Sequence, residues 1–147
     1  MGVVNRFNKK LQEMKASINK SIQTSIAKNE SVLVDQQTEG QFDKGKDAFN
    51  ISIVPKYAKS TRDYKQRNGQ PTDRVTLKDS GKLYDNVQIQ ANTTQAVISA
   101  NVNYFKYLVV HYADNQLLGI QEPAMQKFLI KYTLPEIEKN FKAIIKK

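Results

Sequence analysis

Apolar positions in the first part of the chain recur at helical spacing. Val4, Phe7, Leu11, Met14 and Ile18 step by three and four, and Ile22 and Ile26 continue at fours, so one apolar stripe runs along one face. Lys9, Lys10, Glu13, Lys15, Lys20 and Lys28 fall on the remaining faces. The pattern predicts a long amphipathic helix over residues 1–34, its stripe extending to Val32 or Val34. A helix of about 30 residues is long beside the ~11–12 usual in globular proteins. Part of its apolar face is then expected to lack cover from its own chain. Two destinations stay open for the stripe: packing on its own sheet, or contact with a neighbouring subunit through Val4, Phe7, Leu11, Met14, Ile18 and Ile22.

The periodicity lapses after residue 34. Gly40, Asp43, Gly45, Asp47 and Asn50 supply turn chemistry, and a loop is expected there. Ile51–Val54 reads as a short strand stopped by Pro55. Residues 56–71 are polar and basic and end in Asn68-Gly69 and Pro71, which predicts an extended loop with at most one helical turn. Arg74–Leu77 reads as a short strand or lead-in, and Asp79–Tyr84 as a turn into a short helix. Asn86–Ala91 and Gln95–Asn101 alternate apolar and polar residues around Asn92-Thr93-Thr94, the pattern of a β-hairpin. The aromatic run Tyr104–Tyr112 predicts a buried helix, with a strand as the rival. Gln116–Ile120 is a connection. Glu122-Pro123 opens a last helix with Phe128, Leu129, Tyr132, Ile137, Phe141 and Ile144 on its apolar face, and Pro135 is expected to kink or restart it. The fold class is α+β: a long N-terminal helix, a small antiparallel sheet with a hairpin, and C-terminal helices. The 147 residues suit a single domain, 1–147, with no internal repeat and no linker.

Charge adds a functional constraint. The net charge is +9, unevenly spread: +4 over residues 1–30, −2 over 31–50, +5 over 51–84, −1 over 85–120 and +3 over 121–147. Such a balance attracts nucleic acid, an anionic surface or an acidic protein partner. The candidate contacts are Lys56, Tyr57, Lys59, Arg62, Tyr64, Lys65 and Arg67, in which tyrosines interleave with cations.

The sequence offers little for catalysis. There is no cysteine, which removes disulfides, thiolate ligands and thiol nucleophiles. The lone histidine, His111, sits among apolar residues and reads as a packing residue. Asp35, Glu39, Asp43 and Asp47 are spaced by four but match no calcium loop, and Gly40 and Gly45 argue against a continuous helix through them. Gly40–Lys46 fits G-x-x-x-x-G-K of the phosphate-binding loop, yet Asp47 stands where Ser or Thr should hold magnesium, and Asp43 lies inside the loop. Neither nucleotide, cofactor nor metal binding is expected, and the chain is read as a non-enzyme. No apolar run reaches the ~20 residues of a membrane helix, and Met1–Arg6 carries neither a secretory signal nor, with Arg6 in place of Ser or Thr, a myristoylation start. A membrane role is not expected.

The order of features carries a resemblance. A long helix leads into Gln41–Asp47. Then come the basic segment with Gly69–Asp73, Val75–Tyr84, the hairpin, Asn103–Leu108, Leu118-Gly119-Ile120 and a terminal helix. This resembles the small neck and tail-completion (head–tail connector) proteins of tailed bacteriophages. Leu77, Ser80-Gly81 and Leu83 match their leader of Leu, two residues, Ser or Thr, Gly, one residue, Leu. Tyr104 and Tyr107 match their aromatic pair, with Phe105 in the usual Ala place. The resemblance covers residues 35–145. It departs late in the pattern, where those proteins often show Pro-Arg-Phe or Pro-Phe-Leu-Gly and this chain has only Leu118-Gly119.

The resemblance implies a structural virion protein, assembled in the host cytoplasm. Copies form a homo-oligomeric ring at the portal–tail junction, with portal or adaptor proteins, tail proteins and DNA in the channel as partners. The alternative from composition is a small basic nucleic-acid-binding protein acting through residues 51–84.

Overall fold

The computed structural model describes residues 2–146. The fold is α+β, with seven α-helices and one two-stranded antiparallel sheet among the described residues. Helix α1 spans Val3–Lys28 and α2 spans Glu30–Asp35. The helix expected over 1–34 is therefore broken once, at Asn29. The backbone there leaves helical geometry, and the Asn29 side chain donates to the Ser25 carbonyl at 2.9 Å.

Where a loop was expected after residue 34, α2 runs straight into a π-helical segment, Gln36–Phe42. Gly40 lowers intrinsic helicity, but packing overrides propensity. Leu33, Gln37, Thr38, Gln41 and Phe42 are all buried on one side, and the Gln36 amide folds over the bare Gly40 backbone.

The Ile51–Val54 strand does not form; only an isolated bridge joins Lys46 to Ser52. Its backbone is claimed by a side chain instead: Asn115 accepts from Val54 N–H at 2.9 Å and donates to the Ser52 carbonyl. The basic segment expected as a loop holds α3, Lys59–Arg67. No Gly or Pro lies within it, Lys59 and Asp63 pair at 2.8 Å across one turn, and Gly69 at φ +64° reverses the chain after it. Residues 74–77 pair with no strand, because the Tyr57 hydroxyl accepts from Thr76 and Leu77 N–H at 3.0 and 3.1 Å.

Helix α4, Lys82–Asp85, follows Gly81 as expected. Strands β1, Val87–Ala91, and β2, Ala96–Ala100, pair from Val87 with Ala100 to Ala91 with Ala96. Asn92 closes the turn by accepting from Thr94 and Gln95 N–H. Val87 and Ile89 face the core, and Gln88 and Gln90 face out. Helix α5, Phe105–His111, forms where a buried helix was expected, but none of its residues is buried. Only Phe105 and Leu108 reach the core, half-covered. Helix α6, Glu122–Phe128, passes through a π-helical turn, Leu129–Thr133, into α7, Leu134–Ile145. That turn precedes Pro135, which has no N–H to donate back along the helix, so the restart expected at Pro135 is a widened turn rather than a break.

Two apolar clusters form the core. Phe42, Ile53, Val75, Leu83, Tyr84, Val87, Val102, Tyr112 and Leu117 make the first; Ile26, Leu33, Ile89 and Phe128 make the second. Val34 and Ile98 pack against both and join them. Each large apolar side chain buried this way contributes about 1.5–3 kcal/mol.

A polar seam ties the π-helical segment to the connection 117–121. Gln37 donates to the Leu117 carbonyl at 3.0 Å and accepts from Gly119 N–H at 2.8 Å. Gln41 donates to the Gly119 carbonyl at 2.7 Å and accepts from Gln121 N–H at 3.0 Å. Two side-chain amides, one turn apart, act as a strand would toward an extended partner. Gly119, at φ +146°, lies so close to Ala48 that a Cβ there would stand 2.8 Å from the Ala48 Cβ.

Candidate assembly surfaces

Three exposed regions carry the chain's surface chemistry, and the first is α1. Its stripe divides in two. Toward the C-terminal end Ile26 is buried and Met14, Ile18 and Ile22 are half-buried. There the helix lies against α7. The small residues Ser21 and Ser25 let the helices approach: Asn140 donates to Ser21 Oγ at 2.9 Å, and Ser25 Oγ meets Thr133 Oγ1 at 2.7 Å. Toward the N-terminal end Val3, Val4, Phe7 and Leu11 are exposed, Phe7 at 65%. The sheet covers only the far end of the stripe, where Ile22 and Ile26 join the second cluster. Of the six interface candidates, Val4, Phe7 and Leu11 are free and the other three are partly taken up.

The second region is the basic segment, and the structure disperses its candidates. Lys65 is buried, 4% exposed, and its ammonium donates to Gln70 Oε1 at 2.8 Å and to the Lys78 carbonyl, 4.9 Å above the Tyr57 ring. Lys65 is thus corrected from a polyanion contact to an internal strut. Tyr57 is likewise corrected, because it is half-buried with its hydroxyl committed to the 76–77 backbone. Lys59 is paired with Asp63. Tyr64 donates to Asp79 Oδ1 at 3.1 Å, a bond that raises its pKa, while its ring stays exposed. Lys56, Arg62 and Arg67 are exposed and form no ion pair among the described residues. Beside them a cleft of about 450 Å³ opens between α3 and α5, lined by Tyr57, Thr61, Tyr64, Tyr104, Leu108 and Tyr112. Burial pushes the Tyr112 hydroxyl up to about 12.

The third region, missed from sequence, is the loop after the π-helical segment. Asp47, 1% exposed, accepts from Phe49 and Ile51 N–H at 2.9 and 2.8 Å through Oδ1, and from the Asn115 amide at 2.9 Å through Oδ2. Its own N–H donates to the Ile51 carbonyl, and Ala48 N–H to the Gln116 carbonyl. The loop is fixed from within and from behind, and it holds Phe49 (68% exposed) and Ile51 in solvent. The available signal was Asp47-x-Phe49: an acid two residues before an apolar residue, able to cap the turn.

The remaining acids do not converge. Glu39 reaches Lys78 at 3.6 Å, and Asp43 lies near Lys44 and Arg74. No three potential ligands cluster among the described residues. In the segment resembling a phosphate loop, Asp43, Gly45 and Lys46 N–H already donate to the Thr38, Phe42 and Gln41 carbonyls. No ring of free amides is left for phosphate. His111 lies exposed, edge-on to Tyr112, rather than packed inside as expected. No helix among the described residues is long and apolar enough to cross a membrane. Compared with known protein families, curated proteins and solved structures, the chain matches none of them.

Proposed function

We propose that this chain is a structural subunit of a head–tail connector or tail-completion ring at the portal–tail junction of a tailed bacteriophage. The observation that carries the reading is the uncovered N-terminal half of α1. Val3, Val4, Phe7 and Leu11 continue a stripe whose other half is buried or half-buried, yet among the described residues they stay exposed. An apolar stripe left open in this way fits a helix completed by a neighbouring molecule. The motif order over residues 35–145 supplies the family, and no enzymatic step is assigned. Copies meet through repeated contacts that close on themselves, as a ring requires. Portal or adaptor and tail proteins take the two ends. Channel DNA meets the exposed Lys56, Arg62 and Arg67.

The test is the copy number of this chain in purified particles, measured by quantitative mass spectrometry against the major capsid protein. The expected result is a small fixed number, that of one closed ring. Absence from mature particles overturns the reading. Binding to DNA with a steep salt slope, about −0.9 per phosphate contact, would put the nucleic-acid reading in its place.

A further inference from the structure

The two edges of the β1–β2 sheet are finished differently. On β1 the outward groups are taken: Ile89 N–H donates to Glu30 Oε1 at 3.1 Å, and the Ala91 carbonyl accepts from the Gln23 amide at 3.4 Å. In an antiparallel ladder, opposed residues either bond to each other or both point away. Ile89 stands opposite Ile98, Ala91 opposite Ala96 and Val87 opposite Ala100. The backbone groups of Ala96, Ile98 and Ala100 therefore point away from β1. The bonds from Asn92 N–H to the Gln95 carbonyl and from Asn101 N–H to the Asn86 carbonyl fit the same alternation. Of these outward groups on β2, only the Ala100 carbonyl has a partner among the described residues, the Val102 N–H at 3.0 Å.

Nothing blunts the open edge. β2 carries no Lys, Pro or bulge, the usual guards of an edge strand. Residues 86–105 hold no charged side chain, in a chain of net charge +9. Beside the same edge lies a hollow of about 320 Å³, lined by Ala96 and Ile98 of β2, Ile89 of β1, and Leu118, Ile120 and Met125 from beyond the sheet. No charged side chain lines it. Opposed residues share a face of the sheet, so Ala96, Ile98 and Ala100 lie on the core face with Val87 and Ile89. A strand laid along β2 would send alternate side chains to that face, toward the hollow.

We infer that β2 is a docking edge for an extended segment of another protein, with large aliphatic residues at alternate positions and no charge on the side that meets the hollow. Backbone bonds supply the pairing, and the hollow selects the side chains. A second copy fits less well. Its β1 edge is closed, and its β2 sends Ala96, Ile98 and Ala100 to the core face; two alanines leave most of the hollow empty. Docking at this edge does not depend on the ring proposed above.

The probe is a short peptide of alternating threonine and leucine, acetylated and amidated, titrated into the full chain by fluorescence anisotropy. Amide exchange followed by NMR locates it. Binding is expected to protect the Ala96, Ile98 and Ala100 amides. Two further peptides, N-methylated on the leucines or on the threonines, keep every side chain. One of them loses the bonds to β2 and is expected to bind at least about tenfold more weakly; the other is expected to retain binding. Ala96→Pro removes an outward N–H without touching the β1 ladder, and Ala96→Lys places a charge at the mouth of the hollow, both at an exposed position. Each is expected to weaken the parent peptide by a similar factor. Circular dichroism checks their folding, and the methylated peptides carry the test on the unaltered chain if either variant fails to fold.

Equal binding of all three peptides, or no protection of these amides at millimolar peptide, overturns the inference. So does a wild-type chain that dimerises with the same amides protected and no peptide present, which makes a second copy the occupant.

Discussion

Phe7 and Phe49 are exposed to nearly the same extent, 65% and 68%, but the chain treats them differently. Phe49 stands on a loop whose backbone amides are satisfied by a buried carboxylate, itself held by a buried amide. Phe7 stands on a helix end that contacts nothing of the core. That end begins at Gly2 with no side-chain cap and no acidic residue in its first turn. It also places Arg6, Lys9 and Lys10 near the positive pole of the helix. One apolar anchor is fixed by the rest of its own chain; the other is not. Exposed apolar area alone therefore does not describe a binding surface. The support beneath it decides how much entropy docking must overcome.

The largest effect is expected from removing the support of the fixed anchor. Asp47→Ala leaves Phe49 N–H, Ile51 N–H and the Asn115 amide without their acceptor. Unsatisfied buried donors cost about 1–3 kcal/mol each, so a total loss of about 4 kcal/mol is expected in urea unfolding. Water reaches part of the loop, which sets the sum below the full penalty. A loss under about 1 kcal/mol would show that the loop is not held through Asp47, and the contrast with α1 would collapse.

A smaller effect comes from alkali, because the first apolar cluster contains two raised tyrosines. Burial, then the charge of Tyr57, pushes Tyr112 up to about 12; burial, then Asp43 and Glu39, raises Tyr84 beyond the ordinary tyrosine range. In the unfolded chain both ionise near their ordinary value of about 10. Above that pH the unfolded state binds fewer protons than the folded state, so stability falls as pH rises. It is whole below pH 10 and declines as pH climbs toward and through about 12. The midpoint of urea unfolding at pH 8 and pH 11 reads this. Tyr84→Phe is expected to cost about 1 kcal/mol at neutral pH, through the bond from its hydroxyl to the Thr76 carbonyl, and to make the alkaline fall shallower. An equal fall in wild type and Tyr84→Phe would remove Tyr84 from the account.

The same contrast explains what could be read from sequence. The stripe of α1, the hairpin and the terminal helices were legible because each rests on a local period. The helical course of 36–42 was not: Gln37 and Gln41 read as polar, and their burial depends on the 117–121 backbone, some 80 positions away. The basic segment was read by residue type, which finds cations but not their commitments. Lys65 and Tyr57 look like ligand contacts until Gln70, Lys78 and the 76–77 backbone are brought to them. Phe49 was passed over for the opposite reason, since a single apolar residue between turn formers has no period to announce it. The α5 helix was expected to be buried because its apolar residues surround it; only Phe105 and Leu108 find cover, and Tyr107 and Val110 remain in solvent.

The smallest effect on stability, and the sharpest test of the contrast, belongs to the outer half of α1. Val4→Ser, Phe7→Ser and Leu11→Ser together remove an apolar stripe that joins neither core cluster. Surface changes away from packed features stay within about ±0.5 kcal/mol, so the unfolding midpoint of the triple variant is expected to match wild type. Assembly is expected to weaken, because the stripe is what a neighbour would cover. Hydrogen exchange reads the order directly. In the free chain, amides of residues 3–14 should exchange fast while those of 21–28, clasped by α7 through Ser21 and by the π-helical turn through Ser25, are protected. On assembly, protection should extend to the helix start in wild type and not in the triple variant. Strong protection of residues 3–14 in the free monomer would mean that this end is already ordered, and the two anchors would then differ in position alone.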